Sequence, residues 1–263
     1  MCAPTYFSVD YEINPWMDAG RPVRRRRAVR QWEGLVSAVV DLGHEVELVA
    51  PAPGLPDMVF AANAGLAVGS KVLVSRFRHP ERAEEASRYA AWFSEAGFEV
   101  ERSRSVNEGE GDLLVAGGVV LGGYGLRTER AAHAEVEDCF GMPVVSLRLI
   151  DPRYYHLDTA LAVLSDSRIA WYPQAFDAPS QARLRELFPE AVVASDADAE
   201  AFGLNAISDG RNVLLPREAE GLAAALCSAG FNVVGIEVSE LRRAGGGPKC
   251  CALERYCAGE LSR

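Results

Sequence analysis

Long apolar runs are missing from these 263 residues: no segment approaches the ~18 consecutive apolar residues that cross a membrane. The run Arg21-Pro22-Val23-Arg24-Arg25-Arg26-Arg27-Ala28-Val29-Arg30 is not followed by an apolar h-region. It therefore reads as the solvated first turns of a helix and not as a twin-arginine or other targeting signal. Positive charge is in deficit, with 27 Lys and Arg against 37 Asp and Glu and a formal net charge of −10. That balance opposes long contacts with nucleic acid or anionic lipid, so neither is expected as a partner. Cysteine is confined to Cys2, Cys139, Cys227, Cys250, Cys251 and Cys257, with no CxxC pair and no regular framework. Free thiols in a reducing, cytoplasmic setting are expected. Two adjacent thiols and four scattered histidines make no tetrahedral zinc site, and no metal or other cofactor is expected.

What is present is enough for a large core: 49% of residues are apolar and only 24% charged, which excludes wholesale disorder. Along the chain one order of elements recurs. Two short apolar stretches meet at a tight turn, a helical segment follows, and a β-branched strand closes the unit. Met58–Val68 and Val72–Ser75 precede a helix over Pro80–Glu95 and a strand over Phe98–Glu101. Leu113–Val115 and Val119–Leu121 precede Thr128–Cys139 and Pro143–Leu147. Ala160–Leu164 and Ile169–Tyr172 precede Ser180–Leu187 and Val192–Ala194; Asn205–Ile207 and Val213–Leu215 precede Arg217–Ser228 and Asn232–Ile236. A fifth copy is split between Ser8–Ile13, Arg25–Leu42 and Glu45–Val49 at the start and Cys250–Arg255 at the end.

A small or polar residue opens each copy: Asn63, Asp112, Asp158, Asn205 and Cys250, separated by 49, 46, 47 and 45 residues. A period of this size marks repeated supersecondary units. Joining the two chain ends to complete the fifth unit predicts an α/β fold, a five-bladed pseudo-symmetric α/β propeller of ββαβ-type units, as one domain over residues 1–263. A doubly wound parallel sheet would need few hairpins, and no GxGxxG follows a strand here.

If the openers converge, the axis carries a thiol, two carboxylates and two amides. His156 falls two residues before Asp158, and Glu108 and Glu110 lead into Asp112, all on one side if these segments are extended. A cysteine beside a histidine and carboxylates is a nucleophile with an acid/base partner. Inward-facing carboxylates call for a cationic substrate, and a planar guanidinium suits them. Cys139, Cys227 and Cys257 read as buried small hydrophobes. His44 reads as a helix-end cap, and His79 and His133 as surface residues.

The motifs Tyr11-Glu12-Ile13-Asn14-Pro15-Trp16-Met17, Asn107-Glu108-Gly109-Glu110-Gly111-Asp112, His156-Leu157-Asp158-Thr159 and Gly245-Gly246-Gly247-Pro248-Lys249-Cys250 span nearly the whole chain. In that order and spacing the sequence resembles the guanidino-group modifying enzymes of the amidinotransferase/arginine deiminase superfamily, especially the dimethylarginine dimethylaminohydrolase-like branch. The resemblance implies a pentein propeller without cofactor, acting on a guanidino amino acid. It implies that Cys250 attacks the guanidinium carbon, that His156 moves the protons, and that Asp158 pairs with the guanidinium. The acidic motif supplies a carboxylate that orients the histidine or the substrate. Relatives space it E-x-x-D, and Glu108 is favoured over Glu110 because an extra residue before Asp112 would bulge a strand. Asp112 joins the substrate-binding set, and Arg82 and Arg127 match arginines that grip an α-carboxylate.

One departure concerns substrate. Where many relatives have an acidic residue, this chain has Asn63, and together with Asn14 it resembles arginine dihydrolases, which take arginine to ornithine, carbon dioxide and ammonia. The leading expectation is hydrolysis of Nω-methylated arginine or arginine to citrulline and an amine. Arginine dihydrolase and amidinotransferase activities are the alternatives, and a non-catalytic propeller ranks below them.

Overall fold

The computed structural model describes residues 1–256; Cys257 lies outside them. Four small mixed sheets follow one another along the chain, each built the same way. In the first, β1 (Gly65–Val68) and β2 (Lys71–Val74) form an antiparallel hairpin, and β3 (Glu99–Arg102) adds parallel to β2. The second repeats this with β4 (Leu113–Ala116), β5 (Val119–Tyr124) and β6 (Val144–Arg148). The third uses β7 (Leu161–Ser165), β8 (Arg168–Trp171) and β9 (Val192–Val193), and the fourth β10 (Ile207–Ser208), β11 (Asn212–Pro216) and β12 (Asn232–Ile236). A parallel third strand requires a crossover. A helix supplies it each time: Glu85–Glu95, Ala132–Phe140, Ala178–Leu187 and Glu220–Ser228.

Each crossover helix is held by an apolar stripe. In Glu85–Glu95 the buried side chains Ala86, Tyr89, Ala90 and Phe93 recur at helical spacing. This helix begins later than Pro80, because Pro80–Arg82 forms a separate 3-10 turn and Arg82 is drawn inward. The N-terminal helix Arg25–Asp41 buries Ala28, Gln31, Trp32 and Leu35 and leaves its arginine-rich start in water.

The fifth copy does not form a sheet of its own. Ser8–Ile13 and Glu45–Val49 contain no strand; a single bridge joins Cys2 to Val49. The last strand, β13 (Arg255–Tyr256), pairs parallel with β1, Ala67 opposite Arg255, so the chain's end completes the first sheet. No closed sheet forms among the described residues. Around Ile13 the backbone is taken up by side chains: its carbonyl accepts from Arg127 at 2.7 Å and its N–H meets Met17 Sδ at 3.4 Å, so this stretch does not pair with a neighbouring strand.

The five polar openers do not sit on strands. Asn63 belongs to the 3-10 turn Ala61–Ala64, Asp112 follows Gly109–Gly111, and Asp158 lies in the short α-helical turn Leu157–Ala160. Asn205 follows a turn over residues 201–204, and Cys250 is inside the 3-10 turn Lys249–Cys251. Consecutive turns bond to one another. Asn63 Nδ2 donates to the Glu108 carbonyl (3.4 Å), Leu157 N to Asp112 Oδ1 (3.0 Å), Asn205 Nδ2 to the Asp158 carbonyl (3.2 Å), and Cys250 N to Asn205 Oδ1 (3.1 Å). The period seen in the sequence is therefore a period of helical turns. The two-residue alternation expected for extended segments does not apply to them.

Candidate active site

Cys250 is buried, and two turns bracket its sulfur. The thiol donates to Asp158 Oδ2 at 3.1 Å, and Asn205 Nδ2 donates to Sγ at 3.0 Å. The three glycines before it are needed for this approach. Gly245 has φ +81°, where a side chain is strained, and lies under the Tyr155 hydroxyl and Asn14. A Cβ on Gly247 would come within 2.7 Å of Asn205 Oδ1. Burial, followed by the charge of Asp158, pushes the Cys250 thiol well above its ordinary pKa. Burial also pushes Asp158 up to about 7, against the pull of the thiol hydrogen bond and the Lys249 charge. Asp158 Oδ1 is buried and has no partner within the protein.

His156 precedes the turn that carries Asp158. Its Nε2 lies 2.7 Å from Glu108 Oε2, which also accepts from Arg127 at 2.9 Å; the Arg78 backbone N–H donates to the other oxygen at 3.2 Å. Burial opposes ionisation of Glu108. Arg127 and His156 outweigh it and hold the carboxyl well below the usual range. The second ring nitrogen, Nδ1, is buried without a protein partner. It faces Gly111, where an added Cβ would meet both His156 Nδ1 (3.1 Å) and Asn63 Nδ2 (2.3 Å). Gly111 thus lets the imidazole and the Asn63 amide pack directly against the backbone, with no room for a side chain between them.

Residues 7–257 match the family described as N,N dimethylarginine dimethylhydrolase, eukaryotic. The chain belongs to this family. It is 54% identical over 254 residues to the N(G),N(G)-dimethylarginine dimethylaminohydrolase of Mycobacterium tuberculosis, covering 97% of this chain and 84% of that one. It is also 40% identical over 260 residues to the bifunctional arginine dihydrolase/ornithine cyclodeaminase ArgZ of Synechocystis, covering 96% of this chain and 37% of that protein. Its fold superposes with a TM-score of 0.94, at 38% identity, on the N-terminal domain of ArgZ in a cysteine-to-serine mutant bound to substrate. The match covers 98% of this chain and 97% of that one.

Within this dimethylarginine dimethylaminohydrolase-family chain, several expected substrate contacts are engaged by the protein itself. Arg82 is fully enclosed: Nε and Nη2 donate to the two oxygens of Glu85 at 3.0 and 2.8 Å, and Nη1 donates to Asn63 Oδ1 at 2.8 Å. Its fork is therefore directed at Glu85 and Asn63 and not at open space. Glu85 carries no motif that would have exposed this role; only an i, i+3 pairing with Arg82 hints at it. Arg127 divides its donors between Glu108 and the Ile13 carbonyl. Both Asp112 oxygens are engaged, accepting from Thr128 Oγ1 (2.7 Å) and Leu157 N (3.0 Å), so Asp112 caps the turn behind His156. Asn14 donates to the Ala244 carbonyl at 3.0 Å and accepts from Trp16 N at 2.9 Å, which anchors the N-terminal segment beside Gly245.

Glu108 and Glu110 part company because residues 109–111 are a 3-10 turn. Side chains two residues apart on a three-residue turn point to different sides. Glu110 faces Lys249, 2.6 Å away, and not His156. His133 is buried against Ser146 and not a surface residue, since it sits on the inner face of its helix. Cys139 is buried, but Cys227 is exposed. The His44 ring meets Asp209 at 3.4 Å, while its backbone N–H closes the helix end at Val39. A cavity of about 870 Å³ lies away from this chemistry. It is lined by Ala67, Leu114, Leu161 and Ala206 and reaches Lys249 and Glu254, but does not include Cys250 or His156. The site is covered instead by residues 11–17, pinned where Trp16 Nε1 donates to the Arg153 carbonyl at 2.7 Å and its ring meets Phe202 edge-on at 4.6 Å.

Proposed function

We propose that this chain hydrolyses a guanidinium C–N bond of Nω-methylated arginine or arginine, with Cys250 as nucleophile, His156 as acid/base and Glu108 as the carboxylate that orients it. The observation that carries this reading is the pair of contacts Cys250–Asp158 and His156–Glu108, held on helical turns that bond directly to one another. A guanidinium entering beside Asp158 replaces the thiol as partner of that carboxylate, and its positive charge favours the thiolate that burial disfavours. The sulfur then gives up its proton to the His156 imidazole and bonds to the guanidinium carbon, and His156, steadied by Glu108, passes that proton to the departing amine as the C–N bond breaks. The neutral imidazole next takes a proton from water, whose oxygen bonds to the same carbon while the C–S bond breaks. The products are citrulline and an amine. For an α-carboxylate to reach Arg127, it replaces the Ile13 carbonyl, so substrate entry displaces residues 11–17. Incubation with asymmetric dimethylarginine and with arginine, followed by product identification by mass, tests the reading; absence of citrulline and ornithine from both overturns it.

A second reading, arginine dihydrolase activity, is favoured by Asn63. Its amide lies beside His156, both packed on Gly111, and a neutral amide can donate and accept hydrogen bonds to a neutral ureido group where a carboxylate can only accept.

We further infer a single domain over residues 1–263 with the sheets disposed as blades of a five-bladed α/β propeller, the fifth reduced to turns. The hydrogen bonds running from each polar turn to the next, together with the pairing of β13 with β1, support this arrangement. A cytoplasmic location is supported by free cysteines at Cys2, Cys139, Cys227, Cys250 and Cys251.

A further inference from the structure

The chain almost avoids lysine: of 27 basic residues only Lys71 and Lys249 are lysines. Lys71 opens β2 with its side chain in water near Glu99, whereas Lys249 is 4% exposed and immediately precedes Cys250 in the same 3-10 turn. Its ammonium donates to Glu110 Oε2 at 2.6 Å and to the Ala252 carbonyl at 3.2 Å, and lies 3.5 Å from Glu254 Oε1. Glu110 Oε2 accepts in addition from the Glu254 backbone N–H at 2.9 Å, while Glu110 Oε1 is buried without a partner. A compact ammonium with three donors suits such a closed slot better than a planar guanidinium.

The positions of the two partners matter more than the pair itself. Glu110 sits in the turn Gly109–Gly111, whose flanking residues are Glu108, bonded to His156, and Asp112, bonded to the turn after His156. Lys249 sits in the turn that holds the sulfur. One buried ion pair therefore ties the nucleophile's turn to the turn that orients the acid/base. Buried ion pairs add little stability over apolar residues of the same shape, so a stabilising role alone explains this one poorly.

We propose that the Lys249–Glu110 ion pair is a positioning clamp for the reaction: it sets the placement of Cys250 relative to His156 and, with its charges beside the nucleophile's own turn, tunes formation of the thiolate. The proposal rests on Cys250 and His156 having the roles given above. The charged or titratable groups facing Lys249 are Glu110, Glu254 and Asp158; those facing Cys250 are Asp158, Tyr155 and Cys251, and the Met1 amino group acts on Glu110 and Cys251 from the N-terminal side.

The test is the pH dependence of Cys250 alkylation by iodoacetamide, read by peptide mass so that the other thiols do not interfere, with kcat and KM for arginine and dimethylarginine measured alongside. Lys249→Met leaves a net negative slot and is expected to move the alkylation midpoint upward by on the order of one pH unit. Glu110→Gln removes one negative charge, leaving Lys249 balanced by Glu254 alone, and is expected to move it downward, and the double variant to return it toward wild type. Both single variants are expected to lower kcat by roughly 10²-fold, the penalty for a misplaced reacting group, with a smaller change in KM. Unchanged midpoints, or shifts of the same sign in both single variants, with thermal melting showing folded protein, overturn the clamp and leave a structural ion pair. Should Lys249→Met not fold, Glu110→Gln, which keeps shape and an acceptor oxygen, decides the question by its midpoint. Residual turnover in Cys250→Ser would instead refute the nucleophile assignment, an outcome separate from the alkylation result.

Discussion

The Cys250 thiol and the Asp158 carboxyl share a hydrogen bond of 3.1 Å in a fully enclosed site, where burial raises both groups and the carboxyl charge makes the thiol harder still to ionise. The resting pair is thus arranged to hold its protons until a cation arrives. This protects a buried thiol from adventitious oxidation and, in the proposed reaction, makes the nucleophile dependent on its substrate.

The adjacent cysteines give the sharpest test. Cys250→Ser is expected to abolish turnover, while Cys251→Ser retains most of it, because it is the Cys250 sulfur that bonds Asp158 and Asn205, and adjacent side chains on a 3-10 turn point to different sides. Mass mapping of trapped enzyme should place the adduct on Cys250. Equal losses in the two variants, or an adduct elsewhere, reverse the assignment.

Folding stability should carry the signature of Asp158. Its pKa rises from an unfolded value near ~3.9 to about 7 on folding. Between those values the folded state holds more protons than the unfolded state, so this group's contribution to stability is present below about pH 4 and is lost as pH rises to 7. Asp158→Asn should therefore be inactive yet more stable than wild type at pH 8, with little gain at pH 4. Melting temperatures at the two pH values decide it, and a variant equally destabilised at both contradicts the linkage.

Product choice should turn on Asn63. If its amide holds a ureido group for a second attack, arginine yields ornithine and two equivalents of ammonia, and Asn63→Asp shifts the product toward citrulline. The new carboxylate would face Arg82, which already bonds Oδ1 of the amide. Quantifying both amino acids and ammonia checks this. Exclusive citrulline from the wild type eliminates the dihydrolase reading.

Arg82 and Glu85 should behave as a structural unit. Arg82→Met leaves Glu85 buried and unpaired, which is expected to destabilise the fold by about 3–5 kcal/mol. Pairing the change with Glu85→Leu should recover much of that loss, while turnover stays low because Asn63 Oδ1 has lost its donor. Chemical denaturation of the single and double variants measures the coupling. Additive effects would refute the Arg82–Glu85 unit.

How much was legible beforehand varies with the kind of information. Hairpin, helix and parallel strand repeat with apolar patterning that local chemistry dictates, so four sheets and the crossover helices follow from the sequence. So does the spacing of Asn63, Asp112, Asp158, Asn205 and Cys250, and so do the types of side chain that make a thiol–imidazole–carboxylate site. Local pattern did not reveal that these residues ride on helical turns. A turn of three or four residues has too short a period to distinguish from a strand end, and it is stabilised by bonds to turns some 45 residues away.

The partners of the charged groups were decided only by the tertiary structure. Arg82 and Arg127 resemble substrate ligands along the chain, yet burial requires each guanidinium to find a carboxylate, and the nearest are Glu85 and Glu108. Glu108 and Glu110 are two residues apart and chemically identical. The 3-10 turn between them aims one at His156 and the other at Lys249. Composition and spacing specify which groups are available for chemistry, because those follow from residue identity and period. Which group meets which depends on packing between distant turns, where desolvation makes every unpaired charge costly, and that is settled only when the whole chain is folded.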